Sequence, residues 1–217
     1  MEDLASGPPT VIVVDYGMGN LRSAQKGLER AGVQAIVSSD PADISSADGV
    51  VLPGVGAFRD CMGNLTQARM VEPVREAIME GKPFLGICLG MQLLMSVSEE
   101  FGIHQGLDII PGRVVRFPHD AKLKVPHMGW NRVHIGRPNP LFAGIPDGSF
   151  FYFVHSYYVL PDSEESMAGW TDYGVRFCSA FARDNLFATQ FHPEKSAPWG
   201  LRVLENFGII VRGRKED

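Results

Sequence analysis

The stretch Phe84-Leu85-Gly86-Ile87-Cys88-Leu89-Gly90-Met91-Gln92-Leu93-Leu94 constrains this chain more than any other. A short apolar run, suited to a buried strand, meets Gly-x-Cys-x-Gly and continues as an apolar segment compatible with a helix. A sharp strand-to-helix turn strains the backbone at its apex. The flanking positions must then lack a Cβ, which accounts for Gly86 and Gly90. Such a turn lifts the Cys88 sulfur clear of the sheet and sets it at a helix N-terminus, where free N–H groups and the helix dipole favour the thiolate. The N–H of Leu89 then points at an oxyanion developing on whatever Cys88 attacks. A cysteine among apolar residues is more often a small core side chain, so the reading depends on finding a base and an orienting acid elsewhere.

Both occur about a hundred residues downstream, in Gln190-Phe191-His192-Pro193-Glu194-Lys195-Ser196. His192 and Glu194 are two apart at the end of a strand-like run, and in extended geometry such residues share a face. Pro193 keeps His192 extended. Glu194 can turn back to hold the imidazole tautomer and leave the other ring nitrogen for the Cys88 thiol, the logic of covalent acyl transfer. His-x-Glu alone is commonly a surface pair. Combined with the cysteine elbow and the loop Pro53-Gly54-Val55-Gly56, coincidence becomes a poor explanation. His104, His119, His127, His134 and His155 have no metal-ligand spacing and no cysteine beside them, so neither metal nor cofactor is expected.

The first half reads as βαβ. Val11-Ile12-Val13-Val14-Asp15 is a β-branched run suited to a strand buried on both faces. Tyr16 to Asn20 is a glycine turn, and Asn20 can N-cap a helix carrying Leu21, Ala24, Leu28 and Ala31, closed by Gly32. Further strands are expected over 33–37 and 49–52, giving a parallel sheet. Gly17-x-Gly19 lacks the third glycine of a dinucleotide fingerprint, and no phosphate-loop lysine follows. Val55 and its glycines permit close backbone approach or a peptide flip, and one N–H there can complete an oxyanion hole. Met70, Val71, Val74, Ala77 and Ile78 keep helical spacing up to Gly81 and Pro83. From about Gly106 the texture becomes short β-rich pieces: 114–117, the aromatic run 150–158, 175–181 and 186–191, with Asp184-Asn185 as a hairpin turn between the last two. A closing helix has Pro198 near its first turn and a stripe of Leu201, Leu204, Phe207 and Val211.

The expected fold is α/β: an open mixed, mainly parallel central sheet with helices on both faces and a smaller antiparallel part. Residues 10–211 form one domain, preceded by a disordered lead (1–9) and followed by a charged tail (212–217). The 217 residues are 45% apolar, enough for one good core. A net charge of −5 without a basic run argues against nucleic acid. No apolar run approaches a membrane span, and the N-terminus has no signal-peptide pattern. Three scattered cysteines fit a reducing cytoplasm, with Cys61 and Cys178 as packing residues.

The elbow from Gly86 to Gln92 and the Phe191-His192-Pro193-Glu194 end resemble the hallmarks of class I (triad-type) glutamine amidotransferases. Four further stretches resemble, within that family, the glutaminase subunits of imidazole glycerol phosphate synthases of histidine biosynthesis. They are Asp15 to Leu21, Pro53 to Phe58, His127-Met128-Gly129-Trp130-Asn131, and Tyr152 to Tyr158. The resemblance spans about Thr10 to Val211. It implies that Cys88 attacks the glutamine side-chain amide, that His192 protonates the departing ammonia and later activates water, and that Glu194 orients His192. It implies an oxyanion hole from Leu89 and the Gly54-Val55-Gly56 loop, with Gln92, Ser156 and Tyr157 holding glutamine. It also implies a heterodimer with a (β/α)8-barrel cyclase subunit that receives the ammonia, with Asn20, Trp130 and Lys195 at the interface. Amidotransferase subunits of anthranilate, aminodeoxychorismate or pyridoxal phosphate synthesis would share the chemistry and differ in the acceptor. The stretch 128–131 argues against them. A non-catalytic subunit and a stand-alone hydrolase are the rivals of other kinds.

Overall fold

In the computed structural model, which describes residues 7–119 and 123–216, the aliphatic runs of the first half become a doubly covered parallel sheet. The elements are β1 (Thr10–Val14), α1 (Leu21–Arg30), β2 (Gln34–Ser38), α2 (Pro41–Ser46), β3 (Gly49–Gly54), α3 (Phe58–Gln67), α4 (Val71–Met79) and β4 (Phe84–Cys88). The strands lie in the order β2-β1-β3-β4, all parallel. Side chains alternate across a strand, so β1 feeds two cores. Val11 and Val13 pack with Ala24 and Leu28 of α1. Ile12 and Val14 pack on the opposite face with Ile44, Phe58, Leu65 and Val74 of α2, α3 and α4. Each such side chain, fully buried, contributes about 1.5–3 kcal/mol.

Past the elbow come α5 (Leu89–Leu93), β5 (Met95–Ser98), β6 (His104–Gln105), β7 (Ile110–Arg116), β8 (His127–Ile135), β9 (Ser149–His155), β10 (Tyr157–Pro161), β11 (Met167–Tyr173), β12 (Val175–Arg183), β13 (Leu186–Thr189) and α6 (Trp199–Glu216). β13 returns to lie parallel against β4, and pairs antiparallel with β12 across Asp184-Asn185, where Asp184 takes the positive φ of 52° that this tight turn needs. The sheet continues through β12, β10, β7, β5 and β6, while β11, β8 and β9 branch from β12. On α6, Val203, Leu204, Phe207 and Val211 cover the same core face as α1.

Several local expectations change. Asn20 stands at the N-cap of α1 but its side chain makes no cap bond; its carbonyl accepts from the Ala24 N–H at 3.2 Å. The aromatic run 150–158 breaks at Ser156 into β9 and β10. The elbow helix α5 lasts only five residues, so the dipole expected to favour the thiolate shrinks to a little over one turn. The helix α6 runs through the segment expected as a tail to Glu216, with Arg212 donating to Gly32 O and Arg214 to Glu80 O at 2.7 Å. Of the expected lead, Met1–Ser6 lies outside the described residues, as does Asp217 of the tail. Pro9 already binds β2, its carbonyl accepting from the Gln34 N–H at 2.9 Å.

Candidate active site

Three adjacent parallel strands end at one place. In register, Gly54 of β3 lies beside Cys88 of β4, and Thr189 of β13 beside Ile87. Their C-terminal ends therefore bring the glycine loop, the cysteine and the His192-Glu194 segment together, at the usual ligand edge of an open α/β sheet. Cys88 has φ 55° and ψ −110°, a strained conformation for a non-glycine residue. Its neighbours permit it. A Cβ on Gly90 would stand 1.8 Å from the Leu52 carbonyl oxygen, and one on Gly86 would stand 3.0 Å from the Gly90 oxygen. The elbow exists because these two positions are bare.

His192 and Glu194 meet as the i, i+2 argument expects: Nδ1 lies 2.8 Å from Oε1, with both side chains buried. The backbone holds the ring in place. The His192 N–H donates to Tyr152 O at 2.9 Å, and the Ser196 hydroxyl donates to His192 O at 2.6 Å. The other ring nitrogen, Nε2, has no hydrogen-bond partner among the described residues. Burial opposes the imidazolium, but the Cys88 sulfur and the Glu194 carboxylate outweigh it and raise the His192 pKa to about 10. The Cys88 sulfur thus lies close enough to the ring to favour its charged form. The Gln190 side chain, fully buried, donates from Nε2 toward Cys88 Sγ at 3.8 Å.

A cavity of about 350 Å³ opens over the sulfur, lined in part by Val55, Gly56, Leu89, Gln92, Ser156 and Tyr157. These are the residues expected around the substrate, except that Gly54 lies buried beneath the loop, where a Cβ would come within 2.8 Å of the Tyr16 hydroxyl oxygen. Glu194 lies behind His192. Of the three residues expected at an interface, exposed Lys195 reaches the cavity rim; exposed Trp130 and half-buried Asn20 lie outside the lining. Gln92 donates from Nε2 to Tyr157 O at 2.9 Å and to Gln190 Oε1 at 3.1 Å.

Sequence reasoning missed several residues. Glu100 puts a nearly buried carboxylate in the cavity wall, and its Oε2 accepts from the Phe58 N–H at 2.6 Å. Its only sequence signal is its place shortly after the elbow helix. Tyr16 donates its hydroxyl to Pro53 O at 2.8 Å, and Cys61 donates its thiol to Val55 O at 3.4 Å. Burial raises the Tyr16 pKa well above normal and pushes Cys61 up to about 11, so both keep their protons at neutral pH. Burial also pushes Cys178 up to about 12; its thiol donates to Ala180 O and packs in the sheet. Among the described residues, no group of three or more His, Cys, Asp or Glu side chains is placed to hold a metal ion.

The chain as a whole is similar to known proteins. The family model of glutamine amidotransferase class-I matches residues 12–211. A relative called imidazole glycerol phosphate synthase subunit HisH, from Syntrophotalea carbinolica, is 60% identical over 203 residues, covering 91% of this chain and 98% of its own length. A protein of the same name from Geobacter sulfurreducens is 57% identical over 203 residues, with 91% and 97% covered. Among solved structures, PurLQS from Thermotoga maritima superposes with a TM-score of 0.70 at 17% identity, covering 96% of this chain and 99% of that one, which is a likeness of fold. This chain belongs to the class-I glutamine amidotransferase family.

Proposed function

We propose that the chain is the glutaminase subunit of an imidazole glycerol phosphate synthase, hydrolysing glutamine to glutamate and ammonia and delivering the ammonia to a cyclase subunit. The observation that carries the chemistry is the meeting of strained Cys88 with the buried His192–Glu194 pair at one cavity. The Cys88 thiolate attacks the glutamine side-chain carbonyl carbon. The oxyanion that forms is met by the Leu89 N–H and by one N–H from the Gly54-Val55-Gly56 loop. His192, held as imidazolium by Glu194, gives its Nε2 proton to the departing nitrogen, which leaves as ammonia, and a glutamyl thioester remains on Cys88. The now neutral ring takes a proton from water. The resulting hydroxide attacks the thioester, and collapse releases glutamate and the thiolate. Gln92, Ser156 and Tyr157 hold the substrate. The Glu100 carboxylate suits the α-ammonium group of glutamine.

An outward face beside the cavity supports a partner. On the paired strands β8 and β9, Met128 faces Val154, Trp130 faces Tyr152, and Arg132 faces Phe150. Met128 and Trp130 are more than half exposed, and Val154 also lines the cavity, so the apolar face and the substrate site adjoin. Lys195 stands 5.9 Å from the Tyr152 ring centre on the same side. A (β/α)8-barrel cyclase forming a heterodimer, seated over Trp130, Lys195 and Asn20, is the partner we propose, in the cytoplasm. Ammonia is mostly protonated at neutral pH and is then not a nucleophile, so an enclosed route to the partner serves the reaction. A flip of a loop peptide would remove one oxyanion donor, worth about 3–4 kcal/mol, and would keep the subunit idle until its partner holds an acceptor.

The test is glutamate release by the purified chain alone and with the cyclase subunit and its nucleotide. Low turnover alone, a large rise in the complex and none for Cys88→Ala are expected. Full activity without a partner would overturn the subunit assignment, and silence in every mixture would overturn the chemistry.

A further inference from the structure

Two buried histidines outside the triad are linked into one hydrogen-bonded line. His127 of β8 and His155 of β9 are directly paired residues, and His127 Nδ1 lies 3.0 Å from His155 Nε2. His155 Nδ1 lies 2.8 Å from Tyr157 O, and His127 Nε2 lies 3.2 Å from Asn131 Nδ2. Both rings are at least 94% buried, His127 stacking on Phe153 and Tyr173.

The ends of the line determine every proton in it. A carbonyl oxygen only accepts, so His155 Nδ1 carries a hydrogen. The Asn131 amide is oriented by the backbone on both sides: Oδ1 accepts from the Arg132 N–H at 2.8 Å, and Nδ2 donates to Asp172 O at 3.1 Å. Its Nδ2 therefore donates to His127 Nε2, which must be bare. A neutral His127 then carries its hydrogen on Nδ1 and donates it to a bare His155 Nε2. A charged ring at either position would set two hydrogens against each other or leave a ring with none. Burial favours the same state, lowering His127 to about 4 and His155 to about 3.

The line continues into the pocket. Tyr157 O also accepts from Gln92 Nε2, and Gln92 donates its second N–H to Gln190 Oε1, whose own amide approaches Cys88 Sγ. With both N–H groups committed, Gln92 has only its Oε1 left to serve a ligand. At the other end, β8 carries Met128 and Trp130 on its exposed side, between the inward His127 and Asn131. Side chains alternate along a strand, so the exposed pair and the inward pair share one backbone.

We infer that His127 and His155 form a neutral, one-directional hydrogen-bond relay that positions Tyr157 O and the Gln92 carboxamide, and that joins the exposed β8 face to the glutamine site. Both are positioning residues. The inference rests on the glutaminase reading, and it adds the route by which a partner seated on β8 alters glutamine binding.

The test combines a spectroscopic and a kinetic readout on the full chain with its cyclase subunit. Long-range 1H–15N spectra should show both rings neutral and protonated on Nδ1 at pH 7. His127→Phe keeps a stacking ring and removes both hydrogen bonds; it should raise the glutamine KM in the complex about tenfold with a smaller change in kcat, the size of one lost hydrogen bond. His127→Asn, whose amide mimics the Nδ1–H donor, should recover most of that loss. An imidazolium or an Nε2–H ring at pH 7 would overturn the relay, as would an unchanged KM in a His127→Phe complex whose melting confirms that it is folded. If wild type releases glutamate, Cys88→Ala is silent and the relay tests fail, the glutaminase reading stands without the relay. If wild type itself is silent, that reading falls and the spectra alone decide the relay.

Discussion

The parallel and antiparallel halves of the sheet contribute to one cavity by different means. At the ends of β3, β4 and β13 the geometry is set by backbone: strand register puts Gly54 beside Cys88, and bare glycines allow the elbow to close. Around β8, β9 and β10 it is set by side chains, through buried His127, His155 and the Tyr157 carbonyl shared with Gln92. A backbone device tolerates almost no change, because register and Cβ clashes are all-or-none. A side-chain network can be weakened one bond at a time, at about 1 kcal/mol each. Cys88 thus rests on the part that cannot drift, and the Gln92 carboxamide on the part that can be adjusted.

The comparison breaks first if the nucleophile is not where the backbone puts it. Cys88→Ala should reduce glutamate release by about ten-thousand-fold or more, as loss of a covalent nucleophile does, with melting as the check that the variant is folded. Next comes the elbow itself. Gly90→Ala would force a Cβ against the Leu52 carbonyl at 1.8 Å, and neither backbone can yield without parting β3 from β4. A loss of more than about 4 kcal/mol, or failure to fold, is expected on urea denaturation. A soluble, fully active Gly90→Ala protein would show that the parallel edge is softer than its register implies.

Charge provides a finer test. The His192 pKa is raised to about 10 against the opposing effect of burial, by the Cys88 sulfur and the Glu194 carboxylate. On the proposed mechanism the imidazolium gives its proton to the departing nitrogen, so kcat/KM should hold to high pH and fall as pH rises through about 10. Glu194→Gln removes one of the two groups that raise the ring pKa, lowers that pKa and should move the alkaline limb to lower pH; a pH–rate profile reads the shift. Stability follows the same sign. A pKa raised on folding contributes fully below the unfolded value near 6.5, and the contribution fades as pH climbs toward 10. Glu194→Gln should therefore lose more stability at pH 6 than at pH 10.

The two halves also differed in how far sequence alone revealed them. Val11 to Val14 and Phe84 to Cys88 announce themselves because strands buried on both faces are uniformly apolar. The triad is legible because strain and proton transfer admit few residue types at fixed spacing. β8 is not legible: its inward positions are His127, Gly129 and Asn131, so the alternation that marks a half-buried strand is absent, and for the same reason it carries a polar relay. β11 hides similarly behind Gly169 and Asp172. In α3 the stripe of Phe58, Cys61 and Leu65 is diluted by Gly63, Asn64 and Thr66, poor helix formers that tertiary burial overrides. The end of α5 at Leu93 is not legible, because its residues are all apolar or buried and periodicity carries no stop signal there. Glu100 escaped because a lone carboxylate has no pattern; only the folded chain brings it to the cavity wall.

The smallest expected effect concerns the one part of the parallel edge that does contain movable side chains. Tyr16 holds the carbonyl of Pro53 and Cys61 that of Val55, so side-chain donors tie the peptides on either side of Gly54–Val55, which is itself held by the β3–β4 ladder pairing of Gly54 with Cys88. Under the proposed gating, ties on the two neighbours confine a flip to the peptide between them. Cys61→Ala removes a weak thiol donor and leaves a small void, at a cost of about 1–2 kcal/mol in stability. Cys61→Ser restores a donor and should recover part of it. If the loop works as a bracketed switch, Cys61→Ala should also narrow the ratio between glutaminase activity in the complex and alone, because rotation then spreads into the Val55–Gly56 peptide. An unchanged ratio with lowered stability would make Cys61 a packing residue alone, and the parallel edge would be rigid throughout.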